Sequence, residues 1–414
     1  MEEQADVTDG NPFGGPVAVV LPHLPDRPRS GQDLRHRALV RALGQLGEVH
    51  VFGLCHRSTP PPPPWPGVAT WTCSSDPALT AAHFTTVDRS WMAREDGHPS
   101  DQWFDPRAAA ELRTLLDRVA PRLVVLGGLD LHGYLPTLRS CGARVTLDAP
   151  NVEADLAAEI ATLTGAAPVV LVRRLVADRT ERLERRLVRE VDQIWVCSDH
   201  DAQRMHERYP DAAPTAVIPN VVEPDAAAVA PHPRDGDPVL LFPGSFGYPP
   251  NADAATWLVE EIFPLVRTSL PGARLALVGG DPGADLRAHA DTTSGAIEVP
   301  GLVTAMAPWF ARASVVVVPL RAGAGTRLKV LEAFAAGVPV VSTPKGHEGL
   351  AVTPGVELLS AATAAELAAA VIELQADPSR ADALVRHARA LVDRRYSLAA
   401  LIDAFGDVAE PRHQ

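Results

Sequence analysis

The feature that most constrains this chain is a rhythm, in which short apolar runs are each followed by a loop and an amphipathic helical stretch, along most of its 414 residues. Val17–Leu21, a Pro/Gly/Arg loop to Gln32, a helical segment Asp33–Leu43 and Val49–Leu54 read as a βαβ unit. Strands Leu123–Leu126, Arg144–Leu147 and Gln193–Cys197 then alternate with helical stretches such as Ala108–Val119 and Arg179–Val191. The pattern restarts with Val239–Phe242, Leu275–Val278, Ala296–Val299, Val315–Val318 and Val338–Ser342. Alternation of strand and helix implies parallel strands joined by helical crossovers, so both faces of each sheet are covered. Ligands in such sheets bind beyond the carboxyl ends of the strands, and loops there carry the functional weight.

A chain of this length exceeds one ordinary core, and the rhythm breaks at Asn220–Pro238, where Pro, Ala and Asp replace periodic apolar residues. That stretch reads as an interdomain linker, and Pro60–Gly67 as an extended, polyproline-like connector. Two domains follow, 1–222 and 237–395, each a doubly wound sheet. A last helical segment, 396–414, presents Leu398, Leu401, Ile402, Phe405 and Val408 as an apolar face to pack back on the first.

Composition excludes several classes. No apolar run approaches the roughly 18 residues that span a bilayer, and a net charge of −13 disfavours a nucleic-acid partner. The acidic opening lacks the basic and then apolar order of a secretory signal, and Cys55, Cys73, Cys141 and Cys197 show no metal or redox spacing. The expectation is a cytoplasmic protein without a metal, from a GC-rich bacterial genome to judge by its abundant Ala and Arg. Among 38 basic residues only Lys329 and Lys345 are lysine, and both fall in one segment.

That segment, PLRAGAGTRLKVLEAFAAGVPVVSTPKGHEGL at Pro319–Leu350, carries the strongest chemistry. Gly323 and Gly325 form a Gly-rich loop, Thr326 is suited to cap a helix Arg327–Ala336, and Gly337 closes it. Leu328, Leu331, Phe334 and Ala335 make one apolar stripe, leaving Lys329, Glu332 and Ala336 on another face. Arg327 and Lys329 stand in the first turn, where cations oppose the helix dipole at about 0.3–1 kcal/mol each, and the loop offers no acid to pair with them. An anion at the helix N-terminus resolves this. Backbone N–H groups, dipole and both side chains would act together on a phosphate or diphosphate, with Glu332 able to accept from a ribose. A solvated helix start with surface charges is the plain alternative.

The segment resembles the donor-site signature of family-4 retaining glycosyltransferases of the GT-B fold, in the subgroup with a Gly-x-Gly-Thr-Arg-x-Lys-x-x-Glu-Ala core. The resemblance extends to LLFPGSFGYPPNADAATWLVEEIFP at Leu240–Pro264, LVGG at Leu277–Gly280 and VPGLV at Val299–Val303. The first half matches more loosely, through Ser30–Gly31, Arg35 and DAPNVE at Asp148–Glu153. It implies an α/β protein of two doubly wound, Rossmann-like domains facing a central cleft, the first on the acceptor side and the second binding the nucleotide sugar. Arg327 and Lys329 would hold the donor diphosphate and Glu332 the ribose. Gly244 and Ser245 would approach the phosphates, Gly301, Leu302 and Val303 would border the base, and Gly323, Gly325 and Thr326 would complete the loop. It also implies transfer with retention, without a metal and without a bound cofactor, the nucleotide sugar being substrate.

The chain departs from the family at Ala324, where many relatives carry a first Glu, and at Pro150, where they tend to carry a His. Both put part of the usual sugar and acceptor contacts in doubt. In the first half, Gly31 is a donor-side candidate, though it also simply serves a turn. Asp148, Asn151 and Glu153 are acceptor-side candidates, with turn capping the alternative for the first two. His132 is a candidate catalytic group at a strand end, and a lone loop histidine is as readily incidental. Arg173–Arg189 carries seven arginines, readable as a surface for anionic lipid or as a helix laced by its own Asp178, Glu181 and Glu184. Trp91, Trp103 and Phe104, in Thr85–Phe104, either stack on an acceptor or anchor a loop. The expected partners are a nucleotide-sugar donor and a small-molecule, lipid-linked or glycan acceptor, with peripheral contact at the inner membrane face left open. A sugar-nucleotide epimerase of the same fold and a non-catalytic partner of a true transferase remain as alternatives.

Overall fold

A computed structural model of the protein describes residues 11–23, 30–54, 65, 67–74, 90–163, 166–222, 236–292 and 295–409. Most of the Pro60–Gly67 connector, most of the Asn220–Pro238 linker, the first residues of Thr85–Phe104, and Cys55 lie outside them.

The strands gather into two all-parallel sheets. In the first, β1 (Val17–Leu21), β2 (Val49–Gly53), β3 (Val68–Cys73), β4 (Leu123–Leu126), β5 (Arg144–Asp148), β6 (Gln193–Val196) and β7 (Thr215–Val217) lie in the order β3-β2-β1-β4-β5-β6-β7. In the second, β8 (Val239–Pro243), β9 (Arg274–Val278), β10 (Ile297–Gly301), β11 (Val315–Val318), β12 (Val340–Ser342) and β13 (Leu359–Ser360) lie in the order β10-β9-β8-β11-β12-β13. Each order reverses beside its first strand, the switch point at which doubly wound sheets open a crevice for ligands. The fully buried VVVV of β11 is a central strand covered on both faces, which is why it shows no polar alternation.

Six helices matter below: α1 (Gly31–Leu46), α2 (Glu153–Thr162), α3 (Ala167–Glu190), α4 (Pro249–Trp257), α5 (Leu328–Ala336) and α6 (Leu398–Ala409). The chain divides into two compact units, one of 1–154, 175–219 and 399–414, the other of 155–174 and 220–398. Within the first, α6 sets Phe405 against Trp195 and Phe13, with ring centroids 5.1 and 6.0 Å apart. Among the described residues no helix is long and apolar enough to cross a membrane.

Candidate functional site

In the second unit, β11 runs into the loop before α5. Gly323 (φ +130°) and Gly325 (φ +67°) hold backbone conformations in the left-handed half of the map, which side chains with a Cβ adopt only at a cost. Gly337 (φ +76°) ends α5, its N–H returned to the carbonyls of Ala333 and Phe334. The start differs from expectation by one residue: Arg327, not Thr326, occupies the N-cap, and no side chain caps the helix. The reason lies in the loop. The left-handed turn at Gly325 delays the helix, and the Thr326 hydroxyl is taken by Asn220 Nδ2 at 2.5 Å. The expected two-faced helix is also corrected, because Val330, Ala333 and Ala336 are fully buried along with the apolar stripe. Only Lys329 and Glu332, one turn apart, reach partly into the open.

Lys329 is wedged between elements. Its Nζ donates to Asn251 Oδ1 at 2.7 Å and lies 4.3 Å from the centroid of the Phe242 ring. Asn251, in the first turn of α4, donates through Nδ2 to the Ser245 carbonyl at 2.8 Å. Gly244 is required beside them, since a Cβ there would fall 3.0 Å from Lys329 Nζ and 2.9 Å from Asn251 Nδ2. Burial, helped by the Arg327 charge, lowers the Lys329 pKa to about 7, with Glu332 opposing the shift. Burial raises Glu332 to about 7, with Lys329 opposing. Burial thus opposes the charged form of both groups, a perturbation that clusters at functional sites.

The adjoining strand ends close around this point. The Gly244 N–H donates to Val278 and the Phe246 N–H to Gly280, while the Gly279 N–H donates to the Gly301 carbonyl. A Cβ on Gly279 would come within 2.0 Å of the Gly244 carbonyl oxygen. Gly301 (φ +77°) turns the chain out of β10 into an exposed Leu302 and a half-buried Val303.

Arg327 is buried and folded back onto its own loop, its Nη1 donating to the carbonyls of Ala324 and Gly325. The loop itself offers no acid, as expected, but Glu348 Oε2 from beyond it stands 3.9 Å from Arg327 Nη2. Glu348 follows the next strand, so only folding reveals the proximity. Lys345 Nζ donates to Glu348 at 2.6 Å and to Glu159 at 2.7 Å, and Glu159 accepts the Gly323 N–H at 2.8 Å. Sequence reasoning missed Asn251, Glu159 and Glu348. Asn251 alone left a signal, a polar residue at the start of a helix just beyond a Gly loop.

In the first unit, Asp148 is fully buried beneath Arg35, which donates from Nε at 3.0 Å to both carboxylate oxygens and from Nη2 at 2.5 Å. Arg35 Nη1 also donates to the Ile218 carbonyl at 2.9 Å. This pair joins α1, β5 and the end of β7, and so corrects the acceptor-side reading of Asp148, whose carboxylate has no exposed surface. Asn151 donates to Glu153 at 2.9 Å, and Glu184 accepts the N–H groups of Glu153 and Ala154 at 2.8 and 3.0 Å. Burial pushes Glu153 up to about 8, with Glu184 adding to the shift. His132 Nε2 lies 3.1 Å from Asp101 Oδ1 and its ring meets His98 edge-on. Burial lowers its pKa despite that carboxylate. Gly31 is the exposed first residue of α1, whose Ser30 cap and Asp33 close a reciprocal capping box. Arg182 and Arg185 pair with Asp178 and Glu181 along α3, as the ion-paired reading has it.

Two all-parallel, doubly wound sheets of seven and six strands place the chain in a fold class, the GT-B fold. Residues 237–377 match a family model described as Glycosyl transferases group 1, and the second unit carries that domain. No curated protein matches the chain. Among solved structures, it is similar to sucrose-phosphate synthase from Thermosynechococcus elongatus at a TM-score of 0.73 and 19% identity, over 95% of this chain and 98% of that one. Anabaena HepE in complex with UDP-glucose gives a TM-score of 0.64 and 12% identity, over 95% and 98%. WaaG, a glycosyltransferase involved in lipopolysaccharide biosynthesis, gives 0.63 and 16%, over 95% and 99%. At these identities the likeness establishes the fold.

Proposed function

We propose that the second unit binds a nucleotide sugar by its diphosphate at the start of α5, and that the enzyme passes the sugar to an acceptor hydroxyl with retention and without a metal. The observation that carries this reading is Lys329, held with a depressed pKa at a helix start that no side chain caps, between Gly244 and Asn251 and one turn from Glu332. A diphosphate there receives backbone N–H groups, dipole and ammonium at once. Gly244 leaves the backbone bare for its close approach with Ser245 beside it, Gly323, Gly325 and Thr326 shape the opposite wall, and Arg327 stiffens the loop while adding charge. Glu332 accepts from the ribose hydroxyls, and Gly301, Leu302 and Val303 border the base. The UDP-glucose in the complex of Anabaena HepE supports a donor of this chemical class.

As the glycosidic bond to the diphosphate breaks, negative charge grows on the leaving oxygen. Groups already fixed around it stabilise that charge without reorganisation, the largest usual contribution to catalysis. The acceptor hydroxyl attacks from the face the diphosphate leaves, its proton passing to the departing diphosphate oxygen as the new glycosidic bond forms, giving retention. Asn151 and Glu153 are the acceptor-side candidates of the first unit, for a small-molecule, lipid-linked or glycan acceptor.

The test is binding of UDP, GDP and ADP to wild type, Lys329→Ala and Arg327→Ala by thermal shift and calorimetry. One nucleotide is expected to stabilise the wild type, and loss of a charge-assisted contact is expected to weaken it about 10- to 100-fold in Lys329→Ala. Unchanged affinity in both variants rejects the site. Release of nucleoside diphosphate only when an acceptor is present supports transfer, and epimerised donor without acceptor rejects it in favour of an epimerase.

A further inference from the structure

Glu159 holds a position that an acid would not be expected to hold beside an anion site. Its carboxylate accepts the backbone N–H of Gly323 at 2.8 Å and the Lys345 ammonium at 2.7 Å. Lys345 is shared with Glu348 at 2.6 Å, and Glu348 stands 3.9 Å from Arg327. Backbone N–H groups of a Gly-rich loop and an ammonium are the equipment of a phosphate site. Here they are satisfied by the protein's own carboxylates.

Two further features bear on what this arrangement does. Glu159, Lys345 and Glu348 are all partly open to solvent, with side chains 33%, 24% and 29% exposed, so their mutual attraction is screened and the carboxylate can leave at small cost. The Gly323 N–H belongs to the glycine turn that precedes Arg327 and the uncapped start of α5, four residues before the nearest proposed diphosphate cation. A carboxylate at that place presents an anion to the loop before any ligand arrives. It also subtracts from the positive potential that would draw a diphosphate in.

We propose that Glu159 is a built-in anionic placeholder: it occupies the Gly323 N–H and Lys345 when no donor is bound and is displaced when a donor diphosphate enters. The inference rests on the donor-site reading above and adds to it a competition between the protein's own carboxylate and the ligand. Displacement frees the Gly323 N–H and one N–H of the Lys345 ammonium, which stays paired with Glu348, so the loop keeps a satisfied donor in both states. The alternative role is a static brace, in which Glu159 holds the loop in its binding shape. The two roles differ in sign. Removing a competitor tightens ligand binding, and removing a brace loosens it.

The experiment uses the full-length protein and inorganic pyrophosphate as a base-independent probe, with UDP, GDP and ADP beside it, measured by calorimetry at fixed ionic strength. Glu159→Gln keeps the shape and an acceptor for the Gly323 N–H but removes the charge, and Glu159→Ala removes both. The expected result is affinity for pyrophosphate raised about five- to twentyfold in both variants, with Lys329→Ala weakening it in either background. Affinity unchanged or lowered in the Glu159 variants, while Lys329→Ala still weakens binding, overturns the placeholder and leaves the donor site standing. Insensitivity to Lys329→Ala, or no binding by any of the probes, overturns the donor site and the placeholder together. Far-ultraviolet circular dichroism of Glu159→Gln guards the comparison, since an isosteric change at a half-buried helix position leaves the helix intact.

Discussion

Lys329 and Glu332 are two groups whose ionisation the fold opposes and a ligand would restore. Free Lys329 titrates at about 7, and a diphosphate beside it raises that value, so binding above neutrality requires uptake of a proton. Free Glu332 also titrates at about 7, and ribose hydroxyls donating to the carboxylate lower that value, so binding below neutrality requires release of one. Affinity for a nucleotide sugar, whose diphosphate diester does not titrate in this range, is therefore expected to peak near pH 7. It should fall on either side by at most about tenfold per unit. Calorimetry from pH 5.5 to 9 checks this: Lys329→Gln should flatten the alkaline limb and Glu332→Gln the acid limb. An alkaline limb that survives Lys329→Gln would assign it to another group. At Gly244 the constraint is steric. Gly244→Ala is expected to push Lys329 and Asn251 off their hydrogen bond, costing about tenfold or more in nucleotide affinity with little change in melting temperature, because the conflict falls on the site and not on the core.

At the level of elements, α5 and α6 offer opposite responses to one kind of change. Gly337 terminates α5 in the left-handed region, and a Cβ there would also meet Arg389 at 2.3 Å, so Gly337→Ala is expected to cost about 1–2 kcal/mol of unfolding free energy. Gly406 lies inside α6 with nothing near its missing Cβ, so Gly406→Ala is expected to stabilise by about 0.4–1 kcal/mol. Chemical denaturation of both variants checks the contrast. The same elements mark what the residues alone reveal. The apolar runs of β1, β4, β8 and β11 are legible because strands covered on both faces must be apolar throughout. β3, β7 and β13 escape reading because they are short or half-buried strands towards the sheet edges, mixing small, polar and apolar residues. The cations and acid of α5 are legible because their spacing is local. Glu159 is not, since it meets Gly323 across 164 positions of sequence and nothing in its own neighbourhood marks it. Asp148 misleads for a related reason: a strand-end aspartate looks alike whether it faces a ligand or Arg35.

Each of the two units carries its own sheet and core, and the buried Arg35–Asp148 pair belongs wholly to the first. Asp148→Ala strands a buried guanidinium and is expected to cost about 3–5 kcal/mol. Scanning calorimetry with and without a nucleoside diphosphate should place that loss in a transition the nucleotide does not raise directly, since mass action stabilises the unit that binds. A loss confined to the nucleotide-sensitive transition would show that the two units do not melt separately. The first unit is assembled from three stretches of chain, and the last of them brings Phe405 of α6 to Phe13, just ahead of β1. That proximity makes the protein a natural subject for circular permutation. A short linker between the stretches that flank Phe13 and Phe405 would span little distance, whereas cutting the gene after residue 222 would strip Trp195 of its aromatic cover and yield a half that folds poorly on its own.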